Sequence, residues 1–129
     1  MQPNRALNAY RKVGVQSAVM DASPYQLITM LMEGALDRIA SARGAMERGE
    51  TATQGEMIGK AISIIDTMRV SLDHDKGGDL ATRLSDLYEY MGMRLLEARS
   101  ENDPAMLTEV AGLMREIKSG WDGIPAQYR

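Results

Sequence analysis

The chain has no cysteine and no phenylalanine, one tryptophan and one histidine in 129 residues. Without cysteine there can be no disulfide, no thiolate metal site and no cysteine nucleophile. Any histidine-dependent triad or metal site must use His74. A bundle-type di-iron centre needs Glu-x-x-His on two helices. Residue 71 is serine, so even the one histidine lacks its partner. No large excess of either charge is present. Lys and Arg number 15 against 18 Asp and Glu, a net charge of −3. That balance gives no bulk attraction to nucleic acid or anionic lipid, and no dense Lys/Arg run appears. Long apolar runs are missing too. "LITMLM" stops at Glu33, far short of a bilayer span, and "MQPNRALNAYRKVGVQ" has no apolar core of signal-peptide length. The expectation is a cytoplasmic protein that neither binds nucleic acid nor inserts into a membrane.

What is present is the balance of a soluble globular chain, 44% apolar and 26% charged, with an unusual 11 methionines. Methionine is flexible and polarizable. It suits an irregular core, or a surface that adapts to a partner.

Breakers divide the sequence cleanly. "DASPYQ" offers Ser23 as a cap and Pro24 at the first helical position, where a missing N–H costs nothing. The helix this predicts runs to about Arg48, with Gly49 as its stop. Its seam is Ile28, Met32, Ala35, Ile39, Ala42 and Met46. After the polar link "ETATQGE", a second helix is expected from about Thr53 to Asp75, with the seam Ile58, Ala61, Ile65, Met68 and Leu72. "DKGGD" reads as a break, with Asp79 capping a third helix that carries Ala81, Leu84, Tyr88, Met91, Leu95 and Ala98 on one face. Asp103–Pro104 starts a fourth, with Leu107, Val110, Met114, Ile117 and Trp121 on its seam and Gly123 and Pro125 at its end. No segment alternates with the period of a strand. Short links between long helices favour antiparallel neighbours. The fold class expected is therefore all-α, an antiparallel up-down four-helix bundle with an N-terminal cap segment. One domain spans 1–129, with 1–22 as arm and 23–123 as bundle.

The third helix carries more grease than its core face uses. With 100° per residue, Met93 lies ~180° from Leu84, and Tyr90 and Leu96 flank it by ~60° on either side. Met57, Ile62, Ile64 and Val70 on the second helix, and Leu27, Met30 and Leu31 on the first, also lie off or at the edge of the main seams. Wide stripes are normal in a bundle, where each helix has two neighbours. The other reading is a groove for an apolar segment of another protein, lined by Met30, Ile62, Tyr90, Met93 and Leu96. A third is a face that builds a homo-oligomer.

Little catalytic chemistry is on offer. No GxxxxGK[ST] loop and no GxGxxG occurs. "DHDKGGD" does not match a calcium loop. The pairs Met30/Met32 and Met91/Met93, two apart, point to different sides of a helix and do not form a haem or copper site. "HDKGG" superficially resembles a histidine phosphotransfer site on a bundle. That alternative needs His74 exposed in a helix body, whereas the glycine pair puts it at a helix end, where a charged imidazole would favour a C-terminus.

From about Ala9 to Trp121 the chain resembles the flagellin-specific secretion chaperones of the FliS family. The resemblance is carried by "AYRKV", "ASPYQLITMLMEGAL", "LYEYMGMRLLEA" and "NDPAMLTEVAGLMREIKSGW", in that order. Met32 stands where many relatives have Tyr. The resemblance implies a bundle with an N-terminal segment as a movable cap. It also implies cytoplasmic binding of flagellin through that protein's disordered C-terminal segment, with no enzymatic activity and no cofactor, metal or ATP. An export-gate component or a regulator of flagellar genes would be a second partner by the same resemblance, and the free state a monomer or weak homodimer. In the arm, Tyr10 and Val13 share a face if helical. Tyr10 matches the family's N-terminal motif, which implies cap or partner contact; a plain bundle anchor is the other reading.

Overall fold

The computed structural model describes residues 21–129. The expected arm, with Tyr10 and Val13, lies outside the described residues except for Asp21 and Ala22. Four helices follow in order: α1 (Pro24–Glu47), α2 (Thr51–Val70), α3 (His74–Glu101) and α4 (Pro104–Asp122), then a single 3-10 turn, Ala126–Tyr128. No strand occurs among the described residues. The protein is an all-α four-helix bundle.

Local chemistry sets most of the boundaries. Ser23 accepts the Gln26 N–H, and the Gln26 side chain accepts from the Ser23 N–H, a reciprocal capping box ahead of Pro24. Gly49, at φ 72°, ends α1 in a conformation that suits glycine. Asn102, at φ 51°, closes α3, and Asp103 at once caps α4 by accepting the Ala105 N–H at 2.9 Å. The links are residues 48–50, 71–73 and 102–103. Each spans at most about 10 Å, whereas the helices are roughly 30 Å long at ~1.5 Å per residue. Consecutive helices packed along their length must therefore run antiparallel. The contacts close a ring: α1 meets α2 and α4, and α3 meets the same two.

Two boundaries differ from the sequence reading. α2 starts at Thr51, inside the stretch expected as a polar link, and ends at Val70 rather than Asp75. The third helix begins at His74, capped by Asp73, which accepts the Lys76 N–H at 3.0 Å; Asp79 does not cap it. The glycine pair still breaks the geometry, as a kink at Gly78 (φ 49°, ψ −127°) inside the helical span. One turn thus precedes the kink, and the Gly-Gly signal is a hinge between helical pieces rather than a loop.

The seams pack as spaced. Leu31, Met32, Ile58, Ile65, Met91, Leu95, Leu107 and Met114 are fully buried. Leu27 and Ile64, marginal on the sequence, are core as well, because each helix has two neighbours to face. Where α1 begins and α4 ends, Tyr25 stacks on Trp121 with centroids 4.8 Å apart and planes 9° from parallel. The Tyr25 hydroxyl donates to the Trp121 carbonyl at 2.8 Å, and Trp121 Nε1 donates to Thr29 Oγ1 at 3.0 Å. Arg129 lies over the Tyr25 ring at 4.7 Å.

The two kinds of glycine should respond oppositely to alanine. Gly78 has open space around it but a backbone that disfavours a Cβ, so Gly78→Ala should lose about 1–2 kcal/mol. Gly59, exposed in α2 and equally uncrowded, should gain about 0.5–1 kcal/mol as alanine. Urea denaturation of the two variants measures both signs.

Candidate protein-binding site

Two apolar surfaces remain after the core is filled. The first is the outer face of α3. Tyr90, Met93 and Leu96 are 43%, 60% and 56% exposed there, on the side opposite the buried Tyr88, Met91 and Leu95. Tyr90 is not free-swinging. Its hydroxyl donates to Glu109 on α4. Arg94, one turn along, donates to the same carboxylate through Nε at 3.0 Å and Nη2 at 2.6 Å, and its Nη1 lies 3.5 Å from Glu97. The Tyr90 hydrogen bond, then the Arg94 pair, hold the Glu109 carboxyl below its usual range. Glu109 in turn pushes the Tyr90 phenol up. At neutral pH Glu109 is thus ionised and Tyr90 neutral, the states that sustain the bond. A rigid, half-exposed tyrosine beside a flexible methionine and a leucine gives both an anchor and an adaptable contact.

Met30 lies on α1 and Ile62 on α2. Both are half-buried and packed against the core. Met30 lines a depression with Tyr25, Gln26, Asp122 and Arg129 at the α1–α4 edge. α1 lies across the ring from α3, so Met30 does not share a groove with the α3 strip. The structure brings together Tyr90, Met93 and Leu96 on one helix face, and it does not bring Met30 to them.

The second surface was not singled out in the sequence. At the end of the bundle where α1 and α3 begin and α2 and α4 finish, a hollow of about 690 Å³ opens. That volume is within the range of small-ligand pockets. Ile28 and Met32 come from α1, Met68 from α2, and Leu72 from the link after it. α3 supplies Leu80, Leu84 and Tyr88, and Ile117, Trp121 and Ile124 close the far wall. Asp73 and Glu116 are the charged residues at its edge. Leu80, 65% exposed, stands just after the Gly78 kink as a lip. A signal for the hollow does exist. Ile28, Leu72, Leu84, Ile117 and Trp121 are seam residues by spacing, yet all five are only partly buried, and all lie at this end. Helical spacing identifies a seam but not where the neighbouring helix stops covering it.

No group of three or more His, Cys, Asp or Glu residues among the described ones could hold a metal. His74 is the first residue of α3 and exposed, one turn before the kink. The sequence reading expected it at a helix C-terminus. It lies instead at an N-terminus, where the helix dipole gives an imidazolium no help. No helix among the described residues is long and apolar enough to cross a membrane.

Fold and surfaces together define a helical bundle with surplus apolar area. Residues 6–128 match the family model described as flagellar protein FliS. The chain is 50% identical to the flagellar secretion chaperone FliSB of Pseudomonas aeruginosa, covering 96% of this chain and 98% of that one. It is 43% identical to the flagellar secretion chaperone FliS of Vibrio cholerae, over 95% and 90% of the two chains. With that of Salmonella typhimurium the identity is 47%, over 92% and 88%. The chain belongs to the FliS family.

Burial pushes the Tyr88 phenol up to about 12, the neutral form being the one an apolar wall tolerates. A raised folded-state value stabilises the fold below the unfolded value near 10 and is lost as pH rises through about 12. Between pH 10 and 12 the protein should therefore lose about 2–3 kcal/mol more stability than Tyr88→Phe does. Denaturant titrations of both across that window provide the measurement.

Proposed function

We propose that the protein is a cytoplasmic, non-enzymatic export chaperone that binds the disordered C-terminal segment of flagellin. It would keep that segment from assembling early and support its delivery to the flagellar export apparatus. The observation that carries this reading is uncovered apolar surface on a bundle whose core is already complete: the α3 strip and the terminal hollow. Similarity along nearly the whole chain to proteins named flagellar secretion chaperones supports the choice of client.

The physical logic is that of coupled folding and binding. A filament-forming segment has an apolar face that would otherwise meet its own copies. Burying it yields about 25 cal/mol per Å² of apolar area, and ordering a disordered guest consumes about 2–5 kcal/mol or more of that gain. The net affinity can be useful and still reversible, as export requires. Tyr90, Met93 and Leu96 are proposed as one contact region, with Met30 and Ile62 as separate footholds along an extended guest. Tyr10 and Val13 of the arm are proposed as cap or partner contacts. An export-gate component or a flagellar regulator is proposed as a second partner.

Calorimetry with full-length flagellin should give saturable one-to-one binding. Flagellin lacking its C-terminal ~40 residues, a length on the scale of a coupled-folding interface, should give none. Equal binding to both would remove the mechanism. Met93→Glu should weaken binding while leaving the Tm nearly unchanged, because Met93 is 60% exposed.

A further inference from the structure

The terminal hollow has polar atoms in its wall, and nearly all of its side-chain donors are already used. Ser71 Oγ donates to the Thr67 carbonyl at 2.7 Å. Trp121 Nε1 is given to Thr29. The Asp73 carboxylate accepts the Lys76 N–H, and Glu116 is an acceptor at the edge. No Lys, Arg or His among the described residues lines the space. Tyr88 is different. It is 4% exposed and lines the hollow, and its hydroxyl makes no hydrogen bond to any described residue. Its oxygen is not among the fully enclosed side-chain atoms that lack a partner, so the hydroxyl is open to an acceptor seated in the hollow.

We propose that the Tyr88 hydroxyl is a recognition donor, which takes a neutral carbonyl oxygen from an apolar stretch of the client seated in the hollow. The proposal rests on the chaperone reading above and adds which client chemistry the hollow selects. The walls demand apolar side chains around the acceptor. The acids at the edge, with no cation among the described lining residues, disfavour a carboxylate and favour a neutral oxygen with basic residues flanking it. The phenol stays protonated to about 12, so it acts as donor throughout the working pH range. A carbonyl of this kind comes either from an Asn or Gln side chain or from main chain at the end of a helical turn.

The test is calorimetry of full-length flagellin at neutral pH with the wild type, Tyr88→Phe and Leu80→Glu, alongside the Tm of each free protein. Tyr88→Phe should weaken binding about three- to tenfold, the worth of one net hydrogen bond, with its own Tm unchanged or raised. Leu80→Glu, at an exposed lip, should weaken binding without loss of Tm. Asn→Ala and Gln→Ala variants along the flagellin C-terminal segment separate the two sources. Coupling to Tyr88→Phe at one position marks a side-chain amide, and an undiminished Tyr88→Phe effect at every position marks main chain. Wild-type binding by Tyr88→Phe, with Leu80→Glu weakened, would overturn the donor role and leave the chaperone reading standing. Weakening by Tyr88→Phe alone would place the effect outside the hollow, and a fall in its Tm would show the hydroxyl bonded in the free protein; either overturns the proposal. If the wild type does not bind flagellin, the chaperone reading fails and this proposal falls with it.

Discussion

The stacking of Tyr25 on Trp121 governs everything at the open end of the bundle. α4 must return to α1 to close the ring, and it does so through parallel rings and two hydrogen bonds that run between the same two helices. A tryptophan held this way cannot rotate inward to plug the core. Its ring becomes wall rather than filler, and the seam residues beneath it, Ile28 and Ile117, stay partly uncovered. On the opposite side the Gly78 kink turns the start of α3, so that Leu80 stands at the lip of the hollow. One closed seam and one kinked helix thus leave a gap that further hydrophobic residues on the same spacing would not fill.

The remaining apolar area is divided between separate places, and the division has consequences for how a guest is held. The α3 strip and the terminal hollow lie on different parts of the surface, with Met30 on a third. A compact ligand would use one of them. A long, flexible chain can use several in turn, each weak, with the later contacts made at high effective concentration once the first is formed. Release can then proceed foothold by foothold, which suits a client that must be surrendered for export. Tyr90 illustrates how such a foothold is kept ready. Glu109 and Arg94 fix its ring in place without burying it, so little side-chain entropy is lost when a partner lands on it.

Much of the fold was legible because its signals are local. Ser23 with Pro24, Gly49, and Asp103 with Pro104 each act within one turn of chain, and the seams repeat at a fixed spacing. The outward position of Met93 follows from counting 100° per residue. What escaped the sequence depends on residues far apart or on competition between local signals. Asp73 and Asp79 both precede helical stretches, and the adjacent glycines favoured the second; the chain instead winds one turn from the first and kinks. The tether from Tyr90 to Glu109 spans 19 positions. The hollow draws on Ile124, which lies beyond the end of its helix, where periodicity carries no information.

The absence of phenylalanine acquires a meaning from these placements. Every aromatic side chain other than His74 and Trp121 carries a hydroxyl. Where the structure describes them, those hydroxyls divide by environment. Tyr25 and Tyr90 are half-exposed or exposed, and each spends its proton on a neighbouring helix. Tyr128 is open to water, which satisfies it freely. Tyr88 alone is buried in an apolar wall without a partner among the described residues. Its oxygen is not fully enclosed, so it costs the isolated fold little, and it adds no bond between helices either. The ring of Tyr88 completes the core face of α3 beside Met91, while its oxygen lies at a space shaped for something else. Within one side chain the two parts separate: the ring serves packing, and the oxygen, unused by the bundle, is the part that the proposed recognition of a second molecule would employ.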